Sequence, residues 1–198
     1  MQRYAPGMRR TSFRRWPCSI ARSVDLLGDW WTPLVLREAF FGARRFEEFQ
    51  ARLGIGRNVL AERLRRLVRE GLFERRQYQD RPARYEYRLT EKGSDFVAVL
   101  VAIMRWGDRW LDGGKGPPVR LRHRPCGSLV HAEVVCSECR EPLELGDLGI
   151  ELGPGFPRSQ AVRSGFRKRL AGGPLRSAAE TDTGSVQTDR RDRRRRAN

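Results

Sequence analysis

Apolar residues recur at helical spacing along the first half of the chain and predict four short helices. The second helix opens at Thr32, where threonine serves as the cap and a proline follows in the first turn. Connections of only a few residues require helices of this length to pack together as a small bundle. The predicted helices span residues 18–27, 32–41, 46–53 and 57–70.

The fourth helix separates an apolar stripe from a polar face. At about 100° per residue, the stripe carries four aliphatic residues, Leu60, Leu64, Leu67 and Val68. The opposite face carries Asn58, Glu62, Arg65 and Arg69, with Ala61 and Arg66 at its flanks. On a lone helix such a face is typical of simple exposure to solvent, so its meaning depends on the segment that succeeds the helix in the chain.

Two strand-like runs succeed the fourth helix, over residues 72–78 and 84–89. Pro82 lies in the connection, where its missing N–H suits the tip of a hairpin. Residues 57–92 contain 11 basic and 6 acidic residues, and most of the basic ones are arginine. A helix with a basic exposed face followed by a basic hairpin predicts a winged helix-turn-helix that binds double-stranded DNA.

A long helix is predicted from residue 90 to residue 111, with Thr90 as its cap. Its apolar residues exceed what one small bundle needs to bury, and a homodimer interface is the natural use of the surplus. Packing on the first helix alone is the alternative. The predicted interface residues are Phe96, Val97, Leu100, Val101, Met104 and Trp110.

Composition supports an anionic partner but does not locate its site. The formal net charge is +16 and the isoelectric point about 11.1. Residues 157–198 alone hold 12 basic and 4 acidic residues and few apolar ones, which predicts a disordered basic tail. Residues 1–16 are also basic and weakly patterned, and we expect an N-terminal arm there.

The chain shows no secretory signal, and its longest apolar run, residues 96–104, is far shorter than the ~20 residues that cross a bilayer. We therefore expect a cytoplasmic, nucleoid-associated protein with no membrane partner. In that compartment the four cysteines serve as thiols or metal ligands rather than as structural disulfides.

A glycine- and proline-rich linker, residues 113–120, precedes a possible metal site. His123 and Cys126 form an HxxC pair, and Cys136 and Cys139 form a CxxC pair after a strand-like run over residues 128–135. Two nitrogen or sulfur ligands on each turn match tetrahedral structural zinc, with His131 as a substitute for His123. A metal-free hairpin and a redox CxxC are the alternatives for this zinc-ribbon-like segment, residues 121–150.

Residues 18–111 closely resemble the HxlR family of bacterial winged-helix regulators, which are relatives of the MarR group. The resemblance rests on matching sequence marks in family order and spacing. They are Cys18-Ser19-Ile20, Gly28-Asp29-Trp30-Trp31-Thr32, Leu36-Arg37-Glu38, Gly42-Ala43-Arg44-Arg45-Phe46, Leu60-Ala61-Glu62-Arg63-Leu64, Gly71-Leu72, Arg84-Tyr85-Glu86-Tyr87-Arg88-Leu89-Thr90, Gly93 and Trp106-Gly107.

The resemblance implies a homodimer that binds a near-palindromic operator through a domain spanning residues 17–112. Because the N-terminal part of a recognition helix meets base edges, we expect base contacts from Asn58, Ala61, Glu62 and Arg65. Six further arginines are placed for phosphate or minor-groove contacts, Arg44, Arg45, Arg57, Arg69, Arg81 and Arg84. A transcriptional repressor is the favoured function, since occupancy alone blocks a promoter.

Cys18 has two interpretations. It lies at a helix start among arginines, which favours a reactive thiolate, and some HxlR members sense oxidants or electrophiles through the equivalent cysteine. The alternative is a small structural residue of the first helix. The effector class, whether an oxidant, an electrophile or another small molecule, stays open.

The predicted fold is mainly α (α+β), a winged helix-turn-helix with a β-hairpin wing and flanking dimerisation helices, followed by the zinc-ribbon-like hairpin and the basic tail. The competing function is a non-specific nucleic-acid binder that uses the zinc ribbon and the tail. A thiol enzyme is disfavoured, because both histidines lie far along the chain from Cys18.

Overall fold

The computed structural model describes residues 12–157, and it confirms the α+β winged-helix fold. The chain divides into two compact units, Met1–Glu133 and Val134–Asn198. Within the described residues, no helix combines the length and apolar character that a bilayer crossing requires. The predicted basic tail, apart from residue 157, and the first 11 residues of the predicted arm lie outside the described part.

Six helices and four strands make up the regular structure of the described residues. The helices are α1 Ser19–Leu27, α2 Trp31–Phe40, α3 Phe46–Leu53, α4 Arg57–Arg69, α5 Glu91–Asp95 and α6 Val97–Trp110. The strands are β1 Phe73–Gln79, β2 Arg84–Leu89, β3 Leu121–Arg122 and β4 Leu129–Val130, and a 3-10 turn covers Leu145–Asp147.

One compact core joins α2, α3, α4 and the base of the β1–β2 hairpin. Leu60, Leu64 and Leu67 of α4 are almost completely buried, as the predicted stripe requires. They pack with Phe49 of α3 and Phe73 of β1, whose ring centroids lie 6.2 Å apart. Burial of each of these side chains contributes about 1.5–3 kcal/mol, so the rotation of α4 about its axis is fixed by its leucines.

The second helix begins differently from the prediction. Asp29, not Thr32, caps α2, because its carboxylate accepts hydrogen bonds from the backbone N–H of Trp31 (2.8 Å) and of Thr32 (3.1 Å). Thr32 instead lies buried inside the first turn. Aspartate and threonine are both favourable acceptors for the free N–H groups of a first turn, and here the aspartate accepts them.

The third helix ends and the fourth begins within a short turn. Gly54 has a φ of 60°, the left-handed conformation that glycine tolerates best, and its N–H donates to the carbonyl of Gln50. The next helix starts at Arg57, with Gly56 as a cap that has no side chain to accept a hydrogen bond. The turn therefore sets α4 against α3 as a helix-turn-helix pair.

The wing is an antiparallel hairpin with a third, very short partner. β1 pairs with β2 in a register that puts Phe73 opposite Leu89 and Arg75 opposite Tyr87. The segment before α3 also pairs with β2, because the N–H of Tyr87 donates to the carbonyl of Arg44 at 2.7 Å. The wing is thus bonded to the start of the helix-turn-helix as well as to its end.

The predicted long helix is interrupted. Thr90 caps α5 as expected, with Oγ1 accepting from the N–H of Gly93 at 3.1 Å. The helix is interrupted at Phe96, and α6 begins at the next residue. A Cβ atom on Gly93 would lie only 2.1 Å from the carbonyl oxygen of Leu72. The close approach of α5 to the start of the wing therefore requires glycine.

The segments at the two ends of the domain are partly ordered. Phe13 donates its backbone N–H to the Asp25 carboxylate at 3.2 Å, which fastens residues 12–16 of the predicted arm to α1. After the linker, β3 and β4 form a two-stranded hairpin, shorter than the strand expected over residues 128–135. The unit boundary at Glu133 divides the segment predicted to be a zinc ribbon.

Replacing Glu48 with alanine should lower the free energy of unfolding by about 1 kcal/mol. The Glu48 carboxylate accepts from the backbone N–H of Arg44 (2.7 Å) and of Arg45 (3.1 Å), and these two bonds hold its pKa below the usual 4.5. A lowered folded-state pKa means that this stabilisation is present at neutral pH and is lost as the pH falls below about 4.5. Thermal unfolding between pH 3 and 7 measures it.

The matched control is Glu47→Ala, which removes the same charge from the first turn of α3. It should cost less, because no described hydrogen bond joins the Glu47 side chain to the backbone. Equal losses in the two variants at neutral pH would mean that helix-end charge, not the cap, stabilises α3.

Candidate nucleic-acid interface

The outward face of α4 carries the predicted base-contacting residues. Asn58, Glu62 and Arg65 are exposed and Ala61 is partly buried, because the leucine stripe turns them away from the core. Arg65 lies along the helix, with Nε donating to the carbonyl of Ala61 at 3.2 Å. No described hydrogen bond or ion pair involves its terminal nitrogens, so the exposed side chain can still make a bidentate contact.

One neighbour of this face, Arg63, makes ion pairs within the protein. Arg63 is mostly buried and forms an ion pair with Asp29, the residue that caps α2. Its Nη1 also lies 3.0 Å from Glu62 Oε1, which orients the Glu62 carboxylate. Arg63 therefore links α4 to the start of α2.

The predicted phosphate-contacting arginines surround α4. Arg44 and Arg45 lie just before α3 and are bonded through their backbones to β2. Arg57 begins α4, and its guanidinium lies over the ring of Phe46, 5.1 Å from the centroid. Arg69 is exposed in the last turn of α4, and Arg81 and Arg84 are exposed at the tip of the wing.

A basic cleft opens between the helix-turn-helix and the wing. Four arginines and three tyrosines line it, together with Phe46, Ala83 and two glutamates, and it encloses about 640 Å³. One glutamate, Glu48, directs its carboxylate to the backbone as the cap of α3. The arginines and tyrosines of this basic cleft are Arg45, Arg57, Arg75, Arg84, Tyr78, Tyr85 and Tyr87.

Aromatic rings support two arginines of the basic cleft. The guanidinium of Arg45 lies 4.6 Å from the Tyr78 ring centroid, and that of Arg75 lies 3.5 Å from the Tyr85 centroid. Stacking of this kind holds a guanidinium plane in place while its N–H groups stay free for an anion. The cleft is therefore suited to the phosphates of a nucleic acid.

Arg75, Tyr78 and Tyr85 were not among the residues predicted from the sequence. For Arg75 and Tyr85 the missing signal is the alternation of the wing strands, in which every second side chain faces the same side. Tyr78 does not follow this alternation, because the strand register shifts next to it. Counting from buried Phe73 places Arg75 on the helix-facing side and Arg76 on the other. Net charge alone could not distinguish these two adjacent arginines.

The residues predicted for a dimer interface occupy different surroundings on and beside α6. Phe96 and Leu100 pack against the core, and Val101 and Met104 line a cavity of about 190 Å³ against the β3–β4 hairpin. Val97 and Trp110 are exposed. An exposed apolar stripe, spaced for one helical face, consists of Val99, Ile103, Trp106 and Trp110, and only Trp110 belongs to the predicted set.

Cys18 is exposed and is the N-cap of α1. Its Sγ accepts from the backbone N–H of Ala21 at 3.5 Å. The predicted position at a helix start is therefore correct, and the thiol is open to solvent.

The predicted metal ligands form two pairs, one in each compact unit. In the first unit His123 Nδ1 lies 3.2 Å from Cys126 Sγ, and the backbone N–H of Ser128 lowers the pKa of the Cys126 thiol. In the second unit the backbone N–H groups of Cys139 and Glu138 lower the pKa of Cys136. Across residues 12–157, no three His, Cys, Asp or Glu side chains are gathered to hold a metal ion.

The two pairs lie in separate turns that have the same backbone conformation. The residue after each pair has a positive φ, 72° at Gly127 and 64° at Arg140. In each turn that residue donates its N–H to the carbonyl of the first member of the pair, at 2.8 Å for His123 and at 3.1 Å for Cys136.

Comparison with known proteins agrees with this geometry. The model of the HxlR-like helix-turn-helix family matches residues 26–115, which include α2 through α6. An uncharacterized HTH-type transcriptional regulator of Mycobacterium tuberculosis strain H37Rv is 47% identical over 138 residues, which cover 70% of this chain and 87% of that protein. The HTH-type regulator YvaP of Bacillus subtilis is 36% identical over 92 residues, covering 46% of this chain and 85% of its own.

Two solved structures share the fold over more than two thirds of the chain. PA1607, described as a proposed transcription factor, superposes with a TM-score of 0.65 at 37% identity and covers 72% of this chain and 100% of its own. PA1374 from Pseudomonas aeruginosa, described in the same way, gives a TM-score of 0.53 at 40% identity, with coverage of 74% and 99%. The exposed face of α4, the wing and these similarities together show that the chain belongs to the HxlR-like helix-turn-helix family of transcriptional regulators.

Proposed function

We propose that this protein is a homodimeric repressor that binds a near-palindromic DNA operator. The observation that carries the proposal is the polar face of α4, which buried leucines hold outward beside a basic wing. An α-helix with such a face fits the major groove, and the wing then lies along the adjacent backbone.

The chemistry of each side chain suits it either to base contacts or to phosphate contacts. Asn58 can bond adenine through its amide, Glu62 can accept from the amino group of cytosine, and Arg65 can bond guanine with two parallel hydrogen bonds. The six arginines predicted to contact phosphates would neutralise backbone charge, which fixes the register of α4 without reading sequence. They are Arg44, Arg45, Arg57, Arg69, Arg81 and Arg84. Specificity and affinity are therefore assigned to different residues.

A second copy of the chain is proposed to cover the exposed stripe of α6. Ile103, Trp106 and Trp110 are 52%, 58% and 62% exposed, an apolar surface that a lone soluble domain rarely shows. Ile20 and Val24 of α1 add a further exposed apolar pair one helical turn apart. A symmetric dimer would present two α4 helices about 34 Å apart, one turn of DNA.

Replacing Arg65 with alanine should weaken binding to the operator by ~1–3 kcal/mol and leave binding to random duplex nearly unchanged. The comparison variant is Arg69→Ala, a proposed phosphate contact that should weaken both DNAs equally. Competition binding with promoter DNA and random duplex of the same length measures both. A wild-type protein that binds the two DNAs equally would refute the sequence-specific function and favour a non-specific binder.

Replacing Ile103 with glutamate should convert the dimer to a monomer, because a buried unpaired carboxylate at the interface costs several kcal/mol. The control Ala98→Glu adds the same charge on a different face of α6 and should leave the dimer intact. Sedimentation equilibrium measures the mass, and circular dichroism checks that both variants fold. A dimeric Ile103→Glu protein would exclude the stripe as the interface.

The two ligand pairs are further proposed to bind one structural Zn²⁺. Support comes from the donor set and from each turn taken separately. An imidazole and three thiols are the ligands that structural zinc prefers, and each turn offers a pair at i and i+3 with N–H groups directed at a sulfur. Four protein ligands leave no open position for catalysis, so the ion would serve folding.

Purified protein should contain about one zinc per chain, measured by elemental mass spectrometry. Cys139→Ser should lose most of it, whereas Cys18→Ser, outside the proposed site, should retain it. Less than about half an equivalent of zinc in protein with reduced thiols would exclude the proposed zinc site.

Cys18 itself is proposed as a sensor of oxidants or electrophiles, and unchanged DNA binding after diamide treatment would exclude that role.

A further inference from the structure

The alternation of β1 gives its two adjacent arginines opposite positions. Phe73, at the start of the strand, is buried in the core, and the side of the hairpin that it occupies faces the helices. Two residues further along, Arg75 lies on that same side, at the point where the core ends. Arg76 lies on the opposite side, across from Glu86.

Arg75 lies where the recognition helix and the wing meet. It lines a hollow with Ala61 and Arg65 of α4, and it also lines the basic cleft together with Tyr85. A strand of DNA that leaves the groove occupied by α4 and passes to the wing must cross this junction. Arg76 borders neither of the two hollows.

The guanidinium of Arg75 is held but not neutralised. It lies 3.5 Å from the centroid of the Tyr85 ring, the shortest of the described arginine–ring stacks. None of the ion pairs found within residues 12–157 includes Arg75. Arg45, Arg57 and Arg84 share the cleft, so an anion entering it meets several positive charges and one uncommitted carboxylate, that of Glu47.

We propose that Arg75, supported by Tyr85, binds a DNA phosphate at the junction between the recognition helix and the wing. The stacked plane leaves the edge of the guanidinium free for two parallel hydrogen bonds to phosphate oxygens. Because the ring already restricts the side chain, less conformational entropy is lost on binding. The contact rests on the proposed function, since it assumes that α4 enters the groove.

The test compares Arg75→Ala with Arg76→Ala, two variants with the same change of charge on the same strand. Arg75→Ala should weaken binding to operator and to random duplex alike, by about tenfold. It should also reduce the slope of log Kd against log salt concentration by about one, as expected for one lost phosphate contact. Arg76→Ala should lose less affinity and keep the slope nearly intact.

Variants of the supporting ring separate stacking from other effects. Tyr85→Phe keeps the ring and should bind as the wild type does, whereas Tyr85→Leu should lose part of the affinity with no change of specificity. Unfolding of each variant by heat shows whether a loss merely reflects a damaged wing.

Several results would overturn the proposal. Equal effects of Arg75→Ala and Arg76→Ala would mean that only net charge matters, and a loss confined to the operator would make Arg75 a base contact instead. Tyr85→Phe weakening binding as much as Tyr85→Leu would assign the effect to the hydroxyl group. If the wild type itself fails to distinguish operator from random DNA, the proposed function fails, but the comparison of the two arginines remains interpretable on random DNA.

Discussion

The burial of Leu60, Leu64 and Leu67 is the constraint on which the rest of the structure depends. A helix can rotate about its axis unless packing prevents it. The three leucines pack against Phe49 and the wing, which allows α4 only one orientation about its axis. Every residue of α4 that is proposed to contact DNA owes its direction to that orientation. The core of this domain therefore determines the orientation of its surface as well as its stability.

Ion pairs and hydrogen bonds from two arginines of α4 also hold this helix in its orientation. Arg63 of α4 is mostly buried and bound to Asp29, and the same aspartate caps α2. Arg66 also turns inward and donates to the backbone carbonyl of Asp25 at 2.5 Å. The arginines of α4 thus divide into two classes: some fasten the helix to its neighbours, and Arg65 and Arg69 face the solvent.

The sequence predicts the parts of the fold that depend on local periodicity. The leucine spacing of α4, the glycine that ends α3 and the proline at the wing tip each identify an element within a residue or two. It does less well where two local preferences compete. Asp29 and Thr32 are both good caps, and only the packing of Thr32 into the core decides between them.

Tertiary contacts also give different surroundings to residues that the sequence alone does not distinguish. Apolar residues crowd the whole of residues 96–110, but the core, the β3–β4 hairpin and solvent each meet a different part of that surface. Likewise the adjacent arginines of β1 are chemically identical, and only the register with β2 gives one of them a place beside α4. Function in this domain depends on such assignments of face more than on composition.

The hydrogen bond from the N–H of Tyr87 to the carbonyl of Arg44 has a mechanical consequence. It joins the middle of the wing to the segment that leads into α3, while the chain itself joins the wing to the end of α4. A loop held at both ends cannot swing as a free flap, so the wing and the helix pair must move as one piece. A displacement of the wing would therefore also displace α3 and α4.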